Sequence, residues 1–357
     1  DPRGANQLVE TAALAFQSIA VIQFTVKWFR TRRRIMITWL SAVGAMAIGS
    51  ALMIPARGWE VRWWFAHLSL LVASAVFIVG TDRLMARAID ERELRLVYQP
   101  KVWLRTGEIA GVEALLRWQH PDHGLVPAGD FIPKAEETDL ITPFTYWAVR
   151  EATRQHREWL DAGLTIPVAV NVPVRVLRDD RLIALIRQEL DTHGLDTDAI
   201  SLELTESEGI EKETTAAEML AALAAMGLRI AVDDFGTGYS SLSYLRNLPV
   251  KEGKLDQSFV RSLETSDEDF VIVKSTIELA QGLGHKVVAE GIETEEVRNL
   301  LTALGCDIGQ GYYWSRPLPA ADFATWAREY RVRVGGTRAP DSEPKGPPPP
   351  TVAATDL

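Results

Sequence analysis

Between residues 94 and 332, short β-branched runs alternate with longer amphipathic ones, and no other feature constrains the fold as tightly. Strand-like runs lie at 94–99, 109–116, 166–171, 200–204, 229–232, 253–255, 286–289 and 306–309. Helical periodicity occupies 142–162, 181–192, 214–226, 267–283 and 295–304. Eight strands with intervening helices predict an α/β fold, a (β/α)8 TIM-like barrel. A doubly wound open sheet is the competing arrangement. It usually carries a glycine-rich phosphate loop after its first strand, and Gln99–Pro100–Lys101 is not one.

A barrel gathers its strand ends at one rim, where barrel enzymes place their active sites. Here those ends carry Glu113, Asn171, Glu203, Asp233, Asp234, Lys254, Glu290 and Gln310. Close carboxylates repel unless positive charge lies between them. A single lysine at these strand ends does not suffice. Oxygen ligands without histidine or cysteine suit a hard ion, Mg²⁺ or Mn²⁺. The adjacent Asp233–Asp234 pair lets one carboxylate bridge two such ions, an arrangement that clamps a phosphoryl centre.

Composition excludes other classes. The net charge of -10 gives no basic surface for bulk nucleic acid. The lone Cys306 excludes an intrachain disulfide and a cysteine zinc cluster. His120 and His123 read as a solvated turn rather than a zinc site.

Residues 1–80 read as a helical transmembrane region. Residues 35–54 and 63–80 contain no Asp, Glu, Lys or Arg, and each run is long enough to span a bilayer. A weaker third candidate lies at 8–26. Trp28, Trp39, Trp59, Trp63 and Trp64 belong to this region, mostly near segment ends, as interfacial tryptophans do. The basic run Lys27, Arg30, Arg32, Arg33 and Arg34 places residues 27–34 in the cytoplasm, and with them everything after Thr81. The expected localisation is therefore the bacterial inner membrane, multi-pass, with a cytoplasmic catalytic domain. Residues 81–93 are expected to form a linker helix, 94–332 the barrel, and 333–357 a disordered proline-rich tail. Asp1 is not a methionine, and the sequence leaves open whether further residues precede it.

Residues 98–117, YQPKVWLRTGEIAGVEALLR, contain Glu113–Ala114–Leu115. With Asn171–Val172, LELTES at 202–207, DDFGTGYSSL at 233–242, KLDQSF at 254–259, AEGIET at 289–294 and GQGYYWSRPL at 309–318, the chain resembles the EAL domain, the bacterial phosphodiesterase of cyclic di-GMP. The resemblance covers about residues 91–330. It implies a barrel whose first strand runs antiparallel to the rest, and hydrolysis of one phosphodiester to linear pGpG.

The same resemblance implies roles. Glu113, Asn171, Glu203 and Asp233 would hold one metal. Asp233 would bridge to a second, with Asp234 and, through water, Glu290. Lys254 would contact and activate the attacking water, and as a base it would need a depressed pKa. Gln310 would orient solvent or substrate. Gln99 and Arg117 would bind the dinucleotide, with Asp256 and Glu293 as weaker contacts. Glu206 would anchor the 233–242 loop, which would couple a homodimer interface to the metals.

Two positions depart from the family pattern. Pro173 stands where serine is usual, and Lys251–Glu252–Gly253 precedes the lysine where an apolar residue is usual. Gly253 is expected to loosen the strand that places Lys254. No GG(D/E)EF cyclase signature is present. Membrane-tethered hydrolase is the leading reading; a catalytically weak receptor that signals through its membrane segment is the alternative.

Overall fold

The computed structural model describes residues 85–205, 214–235 and 249–336. Nine strands form one sheet: β1 (Leu94–Trp103), β2 (Ile109–His120), β3 (Gly124–Pro127), β4 (Val168–Pro173), β5 (Ile200–Thr205), β6 (Arg229–Phe235), β7 (Glu252–Leu255), β8 (Lys286–Ala289) and β9 (Ile308–Gln310). Pairing runs β1-β9-β8-β7-β6-β5-β4-β2-β3, and β1 also pairs with β2. Eight strands thus close a barrel, with β3 attached outside the ring. β1 is antiparallel to both β2 and β9, and the pairings from β2–β4 onward to β8–β9 are parallel. The closed eight-strand fold and the reversed first strand match expectation.

The helices are α1 (Ile132–Glu136), α2 (Ile141–Asp161), α3 (Arg181–His193), α4 (Thr214–Ala225), α5 (Gln257–Arg261), α6 (Asp267–Gly282), α7 (Glu295–Ala303) and α8 (Ala320–Gly336). Local chemistry sets their ends. Ser266 accepts from the Asp269 amide at the start of α6, and three acids follow it in the first turn. Thr294 caps α7 through the Val297 amide. Gly194, left-handed at φ 58°, stops α3.

The outward faces of β4–β6 supply Val168, Ile200, Leu202 and Ile230, which pack with Phe144, Val149, Ile186 and Leu220 from the helices. A second cluster joins Leu255, Val287 and Ala289 to Val273, Ile277 and Leu301. Phe323 of α8 packs against Trp159, whose ring meets that of Tyr98 at 4.7 Å, so the last helix is pinned to the first strand.

Some expectations fail locally. α8 continues through 336, so residues 333–336 end a helix rather than begin a tail. Arg333 lies over the Tyr330 ring in that last turn. Residues 121–123 do turn, but His120 is buried, stacks on His123 at 4.2 Å and meets the Trp118 ring at 4.7 Å. The β2–β3 hairpin folds that pair inward, so it is not a solvated loop. Gly253 does not loosen β7, since it pairs with both Val232 and Val287.

Residues 85–90 are helical. The apolar runs at 8–26, 35–54 and 63–80, and the tail beyond 336, lie outside the described residues. Among the described residues no helix is long and apolar enough to cross a membrane.

Candidate active site

The antiparallel β1–β2 register sets Gln99 opposite Glu113. Side chains alternate along a strand, so Gln99 and Lys101 share the face of β1 that enters the barrel. Asn171 on β4 pairs with Glu203 on β5. Lys254 of β7 lies in register with Val288, two residues before Glu290, and Gln310 ends β9 opposite Lys101.

These positions converge. The Lys254 ammonium lies 2.6 Å from Glu290, 2.8 Å from Glu203, 3.3 Å from Asp233 and 3.6 Å from Glu113. Asn171 donates to Glu113 Oε1 at 2.6 Å. Gln310 donates to Glu113 Oε2 at 2.7 Å and to Gln99 Oε1 at 3.0 Å. Glu203 is 0% exposed and Lys254 1%.

Burial alone would neutralise such groups, so their charges must be compensated in place. Burial opposes the charge on Glu203, but Lys101 and Lys254 outweigh it and hold its carboxyl at about 2. Burial likewise opposes the charge on Lys254. Glu113, Glu203, Glu290 and Asp233 overcome it and raise the ammonium well above its ordinary value. Among these side chains Lys254 is therefore a fixed cation and a hydrogen-bond donor, and the depression that a base would need has to come from bound metal ions. Burial dominates at Glu290 and pushes it up to about 8, against the pull of Lys254. It also raises Glu113.

Sequence reasoning missed Lys101. Its ammonium lies 2.5 Å from Glu203 Oε1, and both side chains are buried. Lys254 is therefore not the only base at the site. The available signal was the period of two that puts Lys101 on the same face as Gln99.

Not every candidate reaches the centre. Glu293 lines the adjoining cavity and lies 3.6 Å from Arg261. Asp256 instead caps α5 by accepting from the Ser258 amide at 2.9 Å. Arg117 is half-buried further along β2 and donates to the Leu116 carbonyl. Burial lowers its pKa while Glu113 and Tyr312 act the other way. Glu206, the side chain of Asp234 and loop residues 236–242 lie outside the described residues.

A cavity of about 450 Å³ opens over this cluster. Glu113, Asn171, Asp233, Lys254, Glu290 and Gln310 line one side of it, and Ile132, Phe144 and Ala148 contribute apolar surface. Such a volume suits a small-molecule ligand. The donor set also fits a hard cation: it is rich in carboxylate and carboxamide oxygens, and Gln310 Oε1 is buried with no hydrogen-bond partner. Among the described residues no three acids form a ready cation position. The Lys254 ammonium lies among those acids.

Known proteins carry the same fold. The chain is 44% identical over 237 residues to the bifunctional diguanylate cyclase/cyclic di-GMP phosphodiesterase MucR of Pseudomonas aeruginosa, covering 66% of this chain and 35% of that protein. It is 38% identical over 253 residues to the cyclic di-GMP phosphodiesterase PdeR of Escherichia coli, covering 71% and 38%. The solved phosphodiesterase of MucR in complex with c-di-GMP superposes with a TM-score of 0.65 at 42% identity, covering 69% of this chain and 99% of that one. The chain thus spans well under half the length of these two curated relatives. The EAL domain model matches residues 83–317, about two thirds of the chain, and the chain belongs to the EAL domain family.

Proposed function

We propose that this protein hydrolyses cyclic di-GMP, opening one phosphodiester by attack of water to give linear pGpG. The observation that carries the reading is the convergence of Glu113, Glu203, Asp233 and Glu290 on the Lys254 ammonium beside the cavity. The relatives' names and the c-di-GMP complex of a similar structure support the ligand.

Glu113, Asn171, Glu203 and Asp233, with Asp234 and Glu290, would hold two divalent ions, Mg²⁺ or Mn²⁺. Bound there, such ions would polarise the phosphoryl oxygens and acidify water. Asn171 and Gln310 fix the rotamer of Glu113 through one hydrogen bond to each of its oxygens. Lys254, once partly released from its four acids, offers a hydrogen bond that positions the attacking water or stabilises the charge that develops on phosphate. Gln99 and Arg117 bind the dinucleotide, the guanidinium suiting a phosphate oxygen pair. Glu293, on the cavity wall, faces the substrate's outer part.

We further propose that residues 1–80 anchor the chain in the bacterial inner membrane with the barrel in the cytoplasm. The barrels pair as a homodimer, coupled to the site by the 233–242 loop that Glu206 anchors. The charge-free runs and the basic segment at 27–34 support the anchor.

The test is turnover. The full chain in neutral detergent, given cyclic di-GMP with Mg²⁺ or Mn²⁺, should release pGpG, and excess chelator should stop it. Binding of the dinucleotide without product would instead make the protein a receptor.

A further inference from the structure

We propose that Lys101 is a positioning residue that holds one oxygen of Glu203 and thereby biases the site toward small octahedral cations and against Ca²⁺. The inference rests on the metal-assisted reading above and assigns a residue that reading leaves unused.

Glu203 is fully buried between two lysines, with Oε1 2.5 Å from Lys101 and Oε2 2.8 Å from Lys254. The two amines differ in what surrounds them. Lys254 lines the cavity and lies within salt-bridge distance of four acids, of which Glu113, Asp233 and Glu290 border the cavity as well. Lys101 stands on β1, opposite Gln310 and Gly111, and among the described residues Glu203 is its salt-bridge partner. It is absent from the cavity wall. A cation entering from the cavity can displace Lys254 from Oε2, whereas Lys101 stays on Oε1 from behind.

A carboxylate held in that way offers one oxygen to an ion. Mg²⁺ demands near-ideal octahedral geometry, which single-oxygen ligands supply, whereas Ca²⁺ takes more oxygens and readily accepts both from one carboxylate. Lys101 also leaves Glu203 compensated when Lys254 moves, so the buried carboxylate is never without a cation.

The experiment uses the full chain in neutral detergent, with Mn²⁺ and Ca²⁺ each titrated alone by calorimetry in wild type, Lys101→Met and Lys101→Gln. Both ions are divalent, so losing one positive charge shifts their affinities together, and a merely structural defect does the same. Their ratio reports the clamp. In Lys101→Met the Mn²⁺-over-Ca²⁺ preference should fall by about tenfold. In Lys101→Gln a neutral donor keeps the same oxygen with roughly half the strength, so the ratio should fall between the two. The glutamine variant also serves if the methionine variant does not fold. A wild-type ratio in either folded variant would overturn the role of Lys101. Failure of the wild-type chain to bind either ion would instead overturn the metal-assisted reading on which it rests.

Discussion

Glu113 is held at both oxygens, by Asn171 and by Gln310, while Lys254 faces it. Glu113→Ala should reduce pGpG formation below about a tenth of wild type with circular dichroism unchanged, because it removes a proposed ligand of the metal that would polarise the phosphoryl group. Lys254→Met should lower kcat by about 10²–10⁴-fold while dinucleotide binding, measured by equilibrium dialysis, changes little. Equal losses in binding and turnover would make Lys254 a phosphate anchor. Glu290 sets a pH dependence. Its folded pKa is raised to about 8, so the folded state holds a proton that the unfolded chain has lost above about 4.5. Stability from that proton is full below about 4.5 and drains away as pH rises to 8. In excess chelator, the melting temperature of wild type should therefore decline between pH 5 and 8 relative to Glu290→Gln, by about 2–4 °C per kcal/mol.

At the scale of elements, two short connections position the site. Gly311 follows Gln310, and a Cβ there would run into the backbone of Ile292. That close approach lets the Ile292 amide bond the Gln310 carbonyl at 3.1 Å and the Tyr313 amide bond the Ile292 carbonyl at 2.9 Å. Gly311→Ala should cost about 1–3 kcal/mol in denaturant unfolding and should lower turnover by shifting Gln310. Asp256 presents the opposite case. Its carboxylate caps α5, so Asp256→Ala should cost about 1 kcal/mol and leave KM within about twofold. A larger rise in KM would make it the substrate contact that its motif implied.

For the whole molecule, the barrel closes through β1, which is antiparallel to both neighbours, and α8 returns to cover that strand. The proposed catalytic groups all belong to residues 99–310, so the fragment 81–335 should turn over cyclic di-GMP when separated from the apolar region. The full chain should pellet with membranes. A cysteine replacing Glu60 should react with an impermeant thiol reagent on intact cells, whereas one replacing Arg33 should not. Labelling at 33 alone would reverse the topology.

Local pattern sufficed wherever the governing physics is local. Periodicity located all eight barrel strands and five of the helices, because side chains repeat every two residues in a strand and every 3.6 in a helix. Motif spacing found Glu113, Asn171, Glu203, Asp233, Lys254, Glu290 and Gln310, because parallel strands deliver their ends to one rim. What the sequence could not supply was the distances across the barrel, which belong to no local window. Lys101 and Glu203 stand 102 positions apart and meet only because β1 closes the ring beside β9. The charge on Lys254 followed from the same closure. Alone on a strand a buried lysine loses its proton readily; surrounded by four carboxylates it keeps it, and only the tertiary structure brings those four together.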